Sequence, residues 1–324
     1  MAMELSRRGF LQSAALFGAS TFVSDSFGRS LFTGKAKDFD DSLMVFFSDV
    51  HVRGGASYQR DSFVPIVAEV LKMNPLPRNV VIFGDFAYLS GKKEDYVESE
   101  KIVKLLSDAG ITLTIGMGNH DRRSTFLEVY PDYAKRTKVP GRIVSVASGA
   151  DVDILMLDGL QGTDDRKPND MGPVPGRLDE AQCEWLKAEL PKWPRKVIVG
   201  SHFPLKELSV DPKKSLAAFL NAECPNVKGY IHGHDHRWYN KWSAMGWSSR
   251  KMIRSACLPS TGHWGDIGYT TFRTDAKKAE LTLVSKDFYF PKPLNAAKGE
   301  KRPPEWDMIL AEHRRSPTVT FPLA

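Results

Sequence analysis

The chain has 324 residues, of which 42% are hydrophobic and 26% charged, with a formal net charge of +6. That size fits one large α/β domain with additions, and the ordinary composition excludes fibrous, low-complexity and disordered chains. The positive charge attracts anionic substrates weakly, and no Lys/Arg block marks a nucleic-acid or membrane surface.

The N-terminus reads Ser6-Arg7-Arg8-Gly9-Phe10-Leu11 and continues in an Ala- and Gly-rich apolar run to Ala19. An arginine pair before a short apolar run is what the twin-arginine (Tat) export route reads. The run is too short to span a bilayer, so residues 1–35 are expected to be an export leader. The Tat translocase is then the expected partner, and the periplasm the destination.

From residue 40 onward, short apolar runs alternate with helical patterns. Runs at 43–47, 80–83, 111–115, 154–157 and 197–199, with a weaker one at 227–231, read as strands buried on both faces. Helices are predicted over 61–73, 93–109, 179–190 and 212–223; Asp179 and Glu180 sit in the first turn of the third, where the helix dipole favours acids. After Ser243 the segments shorten and alternate, for example at 269–272 and 280–284. These predict antiparallel strands in a second sheet packed on the first. A main domain over 40–290 and a proline-containing surface extension over 291–324 complete the expected organisation. Cys183, Cys224 and Cys257 are too few and scattered for a disulfide framework, and read as small buried residues.

Polar residues are concentrated where five of the apolar runs end. The clusters are Ser48-Asp49-Val50-His51, Gly84-Asp85, Gly118-Asn119-His120-Asp121, Gly200-Ser201-His202 and His232-Gly233-His234-Asp235-His236. Strands of a parallel sheet end along one edge, where ligand sites gather, so all five clusters should meet there. Of the eight histidines, six lie in these clusters. The N/O donor set suits Zn, Mn, Fe or Co. Seven candidate ligands exceed what one tetrahedral zinc uses, which points to two ions with one carboxylate between them. Two ions roughly 4 Å apart clamp the attacking and leaving oxygens of a phosphoryl group and acidify a bound water.

The ordered series Asp-x-His, Gly-Asp, Gly-Asn-His-Asp, His and Gly-His-x-His resembles the calcineurin-like metallophosphoesterase superfamily over residues 43–236. The resemblance implies an α/β fold of two facing mixed β-sheets flanked by helices, a four-layer αββα sandwich. It implies that Asp49, His51 and His236 hold one ion, that Asn119, His202 and His234 hold the other, and that Asp85 bridges them. The cofactors would be two divalent or trivalent ions drawn from Mn, Fe and Zn. It gives His120 the task of stabilising the phosphate or protonating the leaving oxygen. Asp121 is either the acid that orients His120 or a helix N-cap. His232 falls outside the ligand pattern.

The segment Gly84-Asp85-Phe86-Ala87-Tyr88 is similar to the purple acid phosphatase form, in which the tyrosine binds metal where the first motif lacks its histidine. Here His51 is present, so Tyr88 is not expected to be a ligand. The segment Gly118–Arg123 is closer in style to class III cyclic-nucleotide phosphodiesterases. The expected activity is hydrolysis of a small phosphoester, a diester or cyclic nucleotide ahead of a monoester. The alternatives are a purple-acid-phosphatase-like phosphomonoesterase and a non-catalytic scaffold of the same fold. Asn119 and His120 are candidate substrate contacts, as is His263 in the loop Ser260-Thr261-Gly262-His263.

Overall fold

The computed structural model describes residues 38–161, 176–244, 252–262, 265–289 and 317–324. The expected leader and His263 lie outside the described residues. The strand β1 (Phe39–Phe47) is followed by α1 (Tyr58–Val70), β2 (Leu76–Ile82), α2 (Lys93–Asp108) and β3 (Thr112–Ile115). The chain continues through α3 (Arg123–Val129), α4 (Tyr133–Arg136), β4 (Ser145–Ser148), β5 (Asp153–Met156), α5 (Glu180–Glu189) and β6 (Val197–Ser201). Next come β7 (Ser209–Asp211), β8 (Lys214–Ser215), α6 (Leu216–Glu223), β9 (Val227–His232) and β10 (Tyr239–Ala244). The last strands are β11 (Met252–Cys257), β12 (Gly265–Thr274), β13 (Lys278–Tyr289) and β14 (Thr318–Pro322).

Local signals explain where the helices begin. Ser57 caps α1, its hydroxyl accepting from Arg60 N at 3.2 Å, so that helix starts earlier than its apolar pattern. Asp179 caps α5 through Gln182 N at 3.0 Å. The predicted start of α6 at 212 is too early. Residues 209–215 pair as the β7–β8 hairpin, and Ser215 caps the helix from Ala218 N at 3.1 Å.

The strands form two six-stranded sheets, in the orders β14-β13-β12-β1-β2-β3 and β10-β11-β9-β6-β5-β4. Each has a parallel core, β1-β2-β3 in the first and β5-β6-β9 in the second. This corrects the expectation that the antiparallel strands make a sheet of their own. β12 to β14 extend the first sheet beside β1, and β10 reaches the second through β11, which pairs parallel with β9. Apolar patterning fixes that a segment is a strand, but not its neighbour.

The two sheets face each other across a shared core. Phe46, Val81, Phe272 and Leu281 of the first pack with Ile154, Met156, Ile198 and Ile231 of the second. Phe46 stacks on Phe272 with centroids 4.9 Å apart, while its neighbour Phe47 points the other way and meets Phe63 of α1 edge-on at 5.4 Å. This is the period-two alternation of a strand covered on both faces. On the far side of the second sheet, Leu155, Val199 and Tyr230 pack with Leu186 of α5 and Phe219 of α6. The layers are therefore helix, sheet, sheet, helix, as predicted. Each fully buried Phe or Leu contributes about 1.5–3 kcal/mol by leaving water.

One part of the expected surface extension belongs to the core. β14 pairs antiparallel with β13, and Val319, Phe321 and Leu323 are buried between the sheets. Among the described residues no helix is long and apolar enough to cross a membrane.

Candidate metal centre

The parallel cores of the two sheets end at one place. Asp49 and His51 follow β1, Asp85 follows β2 and Asn119 follows β3; His202 follows β6, and His234 and His236 follow β9. Five of these seven residues have a left-handed backbone: Asp49 (φ 50), His51 (φ 50), Asp85 (φ 48), His234 (φ 73) and His236 (φ 52). Such conformations cost about 1–3 kcal/mol each and persist where the surroundings enforce them, as at functional sites. Gly84, at φ +85, shows the crowding. A Cβ there would lie 2.7 Å from Gly118 N and 2.7 Å from His202 Cβ. The Gly-Asp pair is thus required by close approach of three site loops.

Two groups of donors result. Ligand atoms of Asp49, His51, Asp85 and His236 all lie within 4.8 Å of one another, as do those of Asp85, His202 and His234. Asp85 belongs to both groups. Asn119 joins the second, its Oδ1 lying 2.9 Å from His202 Nε2 and 2.8 Å from His234 Nδ1. His236 Nε2 stands 3.0 Å from Asp49 Oδ1, and His202 Nε2 3.1 Å from Asp85 Oδ2. The grouping coincides with the division that the resemblance implies.

Backbone carbonyls set the rings. Nδ1 of His51 donates to Tyr88 O at 2.7 Å, and Nδ1 of His202 donates to Phe83 O at 2.9 Å. A carbonyl only accepts, so both rings carry a proton on Nδ1 and turn Nε2 inward. Tyr88 supplies this carbonyl, while its ring lies under the Arg53 guanidinium at 5.6 Å.

Electrostatics favours cations here. Burial opposes ionisation of Asp49, but the charges of His236 and His202 hold its carboxyl below the usual range. Asp85 is likewise held well below it, burial being overcome by His202 and His120. Burial resists charge on His202, yet the Asp85 carboxylate pushes its pKa up to about 9. Burial and the neighbouring His202 charge lower that of His234. Two ionised, buried carboxylates surrounded by imidazoles and one amide oxygen fit two transition-metal ions, with no thiolate to favour a softer metal.

His120 stands at the mouth of the cluster, its Nε2 4.0 Å from Asp85 Oδ2 and its side chain 22% exposed. Its Nδ1 donates to Leu89 O at 2.8 Å. Asp121 neither touches the His120 ring nor caps a helix. Its carboxylate accepts from Gly118 N at 2.8 Å, Ala87 N at 3.0 Å, Phe86 N at 3.2 Å and the Tyr96 hydroxyl at 3.0 Å. It therefore faces the backbone of its own turn rather than the His120 ring, and α3 begins after Arg122 without a side-chain cap. Burial and the Asp85 charge push the Asp121 pKa up to about 6.

His232 is buried and donates from Nδ1 to Gly233 O at 2.8 Å, and burial lowers its pKa to about 4. With Asp235 and Cys257 it makes a third close group. There the Cys257 thiol donates to Gly233 O at 3.4 Å and burial pushes its pKa well up, which keeps it protonated. All three cysteines are free and buried. Sequence reasoning passed over Ser48, whose hydroxyl donates to Asp49 Oδ2 at 2.6 Å; its place in the first motif was the available signal.

The family model of calcineurin-like phosphoesterases matches residues 43–238, which span every donor described above. The chain belongs to that family. This phosphoesterase is accordingly a metal-dependent phosphoric ester hydrolase. Its fold is similar to that of a dimetal phosphatase from Danio rerio, at 13% identity and a TM-score of 0.56, over 87% of this chain and 99% of that one. It is also similar to PhoD, at 11% identity and a TM-score of 0.52, over 78% of this chain and 67% of that one. No curated protein matches the phosphoesterase chain.

Proposed function

We propose that this phosphoesterase hydrolyses a phosphodiester, with a cyclic nucleotide among its candidate substrates, at two ions drawn from Mn, Fe and Zn. The observation that carries the catalytic part is His120, partly exposed beside a buried donor set with its Nδ1 proton anchored on Leu89 O. When bound, the ions supply Lewis acidity toward a phosphoryl oxygen and acidify the attacking water. Asp49, His51 and His236 would hold one ion and Asn119, His202 and His234 the other, with Asp85 shared. His120, carrying a proton on each ring nitrogen, gives its Nε2 proton to the leaving oxygen and keeps its Nδ1 proton on Leu89 O.

The preference for a diester rests on the Gly-Asn-His-Asp-Arg-Arg run and its likeness to class III phosphodiesterases. A monoester substrate is the second reading, favoured by the fold's similarity to a dimetal phosphatase. His263 joins the proposal as a further substrate contact. The twin-arginine segment supports export through the Tat translocase to the periplasm; a reporter fused to residues 1–35 that stays in the cytoplasm would overturn that part.

The test of substrate class uses protein loaded separately with Mn, Fe or Zn, on bis-p-nitrophenyl phosphate and p-nitrophenyl phosphate. Higher kcat/KM on the diester supports the first reading. Faster monoester turnover replaces it with the second.

A further inference from the structure

Two of the site histidines are anchored on one short loop. After Asp85, the carbonyl of Tyr88 receives the Nδ1 proton of His51 at 2.7 Å, and that of Leu89 receives the Nδ1 proton of His120 at 2.8 Å. Each ring is aimed only as firmly as this loop is held against the segment bearing the histidine's own backbone. Backbone N–H groups begin each junction, His51 N donating to Asp85 O at 2.9 Å, Val52 N to Phe86 O at 3.1 Å and His120 N to Asp85 Oδ1 at 2.8 Å. The first turn of α2 adds a side-chain junction to each.

The first junction is Asp95. Its carboxylate accepts from Gly54 N at 2.8 Å and Tyr88 N at 3.3 Å, clipping the segment after His51 to the residue whose carbonyl holds the His51 ring. The second junction is Tyr96. Its hydroxyl donates to Asp121 Oδ1 at 3.0 Å and accepts from Arg122 N at 2.8 Å. Asp121 in turn binds Phe86 N, Ala87 N and Gly118 N. That unit ties the turn carrying His120 to the loop whose Leu89 carbonyl holds the His120 ring. Asp95, Tyr96 and Asp121 are all buried, and Tyr96 packs edge-on against Phe126 at 5.6 Å. Buried polar groups in a fully paired network fix geometry more firmly than exposed ones do.

We propose that Asp95 and Tyr96 are positioning residues with separate duties: Tyr96, through Asp121, aims His120 at the leaving oxygen, and Asp95, through the Tyr88 carbonyl, aims His51 at its metal ion. The inference rests on the roles given to His120 and His51 under the proposed function. Neighbours on one helical turn thereby serve different steps, one proton transfer and the other metal retention.

The test compares purified, metal-loaded Tyr96→Phe, Asp95→Asn and His120→Ala with the parent protein. The readouts are metal content per chain, the chelator concentration that removes half the metal, and kcat and KM. Turnover is measured on two aryl phosphodiesters, one with a p-nitrophenyl and one with an unsubstituted phenyl leaving group. Tyr96→Phe is expected to keep its metal and KM and to lose kcat about 10–100-fold on the phenyl ester, with a smaller loss on the p-nitrophenyl ester. Asp95→Asn is expected to release metal at about 10–100-fold lower chelator, with equal kcat changes on both esters once metal is saturating.

Equal kcat losses on the two esters in Tyr96→Phe, or metal release matching that of Asp95→Asn, would overturn the division of duties. Unchanged chelator sensitivity in Asp95→Asn would do the same. If Tyr96→Phe does not fold by circular dichroism, Asp121→Asn interrupts the same unit and is held to the same criteria. If His120→Ala shows no dependence on the leaving group, the proposed role of His120 fails and the Tyr96 part falls with it. If His120→Ala shows that dependence and Tyr96→Phe does not, only the present inference fails.

Discussion

Asp85 and His202 come from different sheets, yet Asp85 Oδ2 lies 3.1 Å from His202 Nε2. The pair joins the carboxyl ends of β2 and β6 at the point where both donor groups share a carboxylate. Asp85→Asn removes the charge common to both groups. Metal content is expected to fall to one ion per chain or fewer, and turnover to background. Elemental analysis after gel filtration checks this, and a variant with full metal content would contradict the bridging assignment.

His120 is anchored by Leu89 O and points its Nε2 toward the cluster from the mouth. Replacing it with alanine removes a proton donor and none of the assigned ligands. His120→Ala should retain both ions and lose about 10²–10⁴-fold in kcat, the range for general acid–base assistance. Parallel metal analysis and steady-state kinetics decide it, and loss of metal equal to that of Asp85→Asn would count against the role.

Gly233 sits between two ligand loops. A Cβ there would lie 2.6 Å from Asp49 Oδ2 and would also strike the Ser48 hydroxyl that steadies that carboxylate. Gly233→Ala should therefore weaken metal retention although it changes no ligand. Dialysis against graded chelator measures the effect.

Phe321 of β14 is fully buried among residues of both sheets. Truncation to alanine leaves a cavity that the sandwich cannot collapse, with an expected cost of about 3–5 kcal/mol. Urea unfolding of the metal-loaded protein should show an earlier midpoint and an unchanged slope. A stability equal to the parent would mean that β14 is dispensable to the core.

The sequence by itself determined the buried parallel strands, the four main helices and which seven Asp, His and Asn side chains would gather at the strand ends. It could do so because those signals are local. Apolar runs of four or five residues, the first-turn acids Asp179 and Glu180, and Asp, His and Asn at strand ends are all read within a few positions. The tertiary structure decided everything that depends on a partner distant in the chain. It divided the parallel strands between two sheets and brought β14 into the core. It fixed the tautomers of His51, His120 and His202 through carbonyls of Tyr88, Leu89 and Phe83.

It also separated acids that look alike in sequence. Asp85 and Asp121 both follow strands, but one faces imidazoles while the other is surrounded by backbone N–H groups and Tyr96. Asp158, which also ends an apolar run, is used up by Arg123, whose Nε donates to it at 2.6 Å. A carboxylate's task is set by the donors that reach it, and the fold alone places those donors.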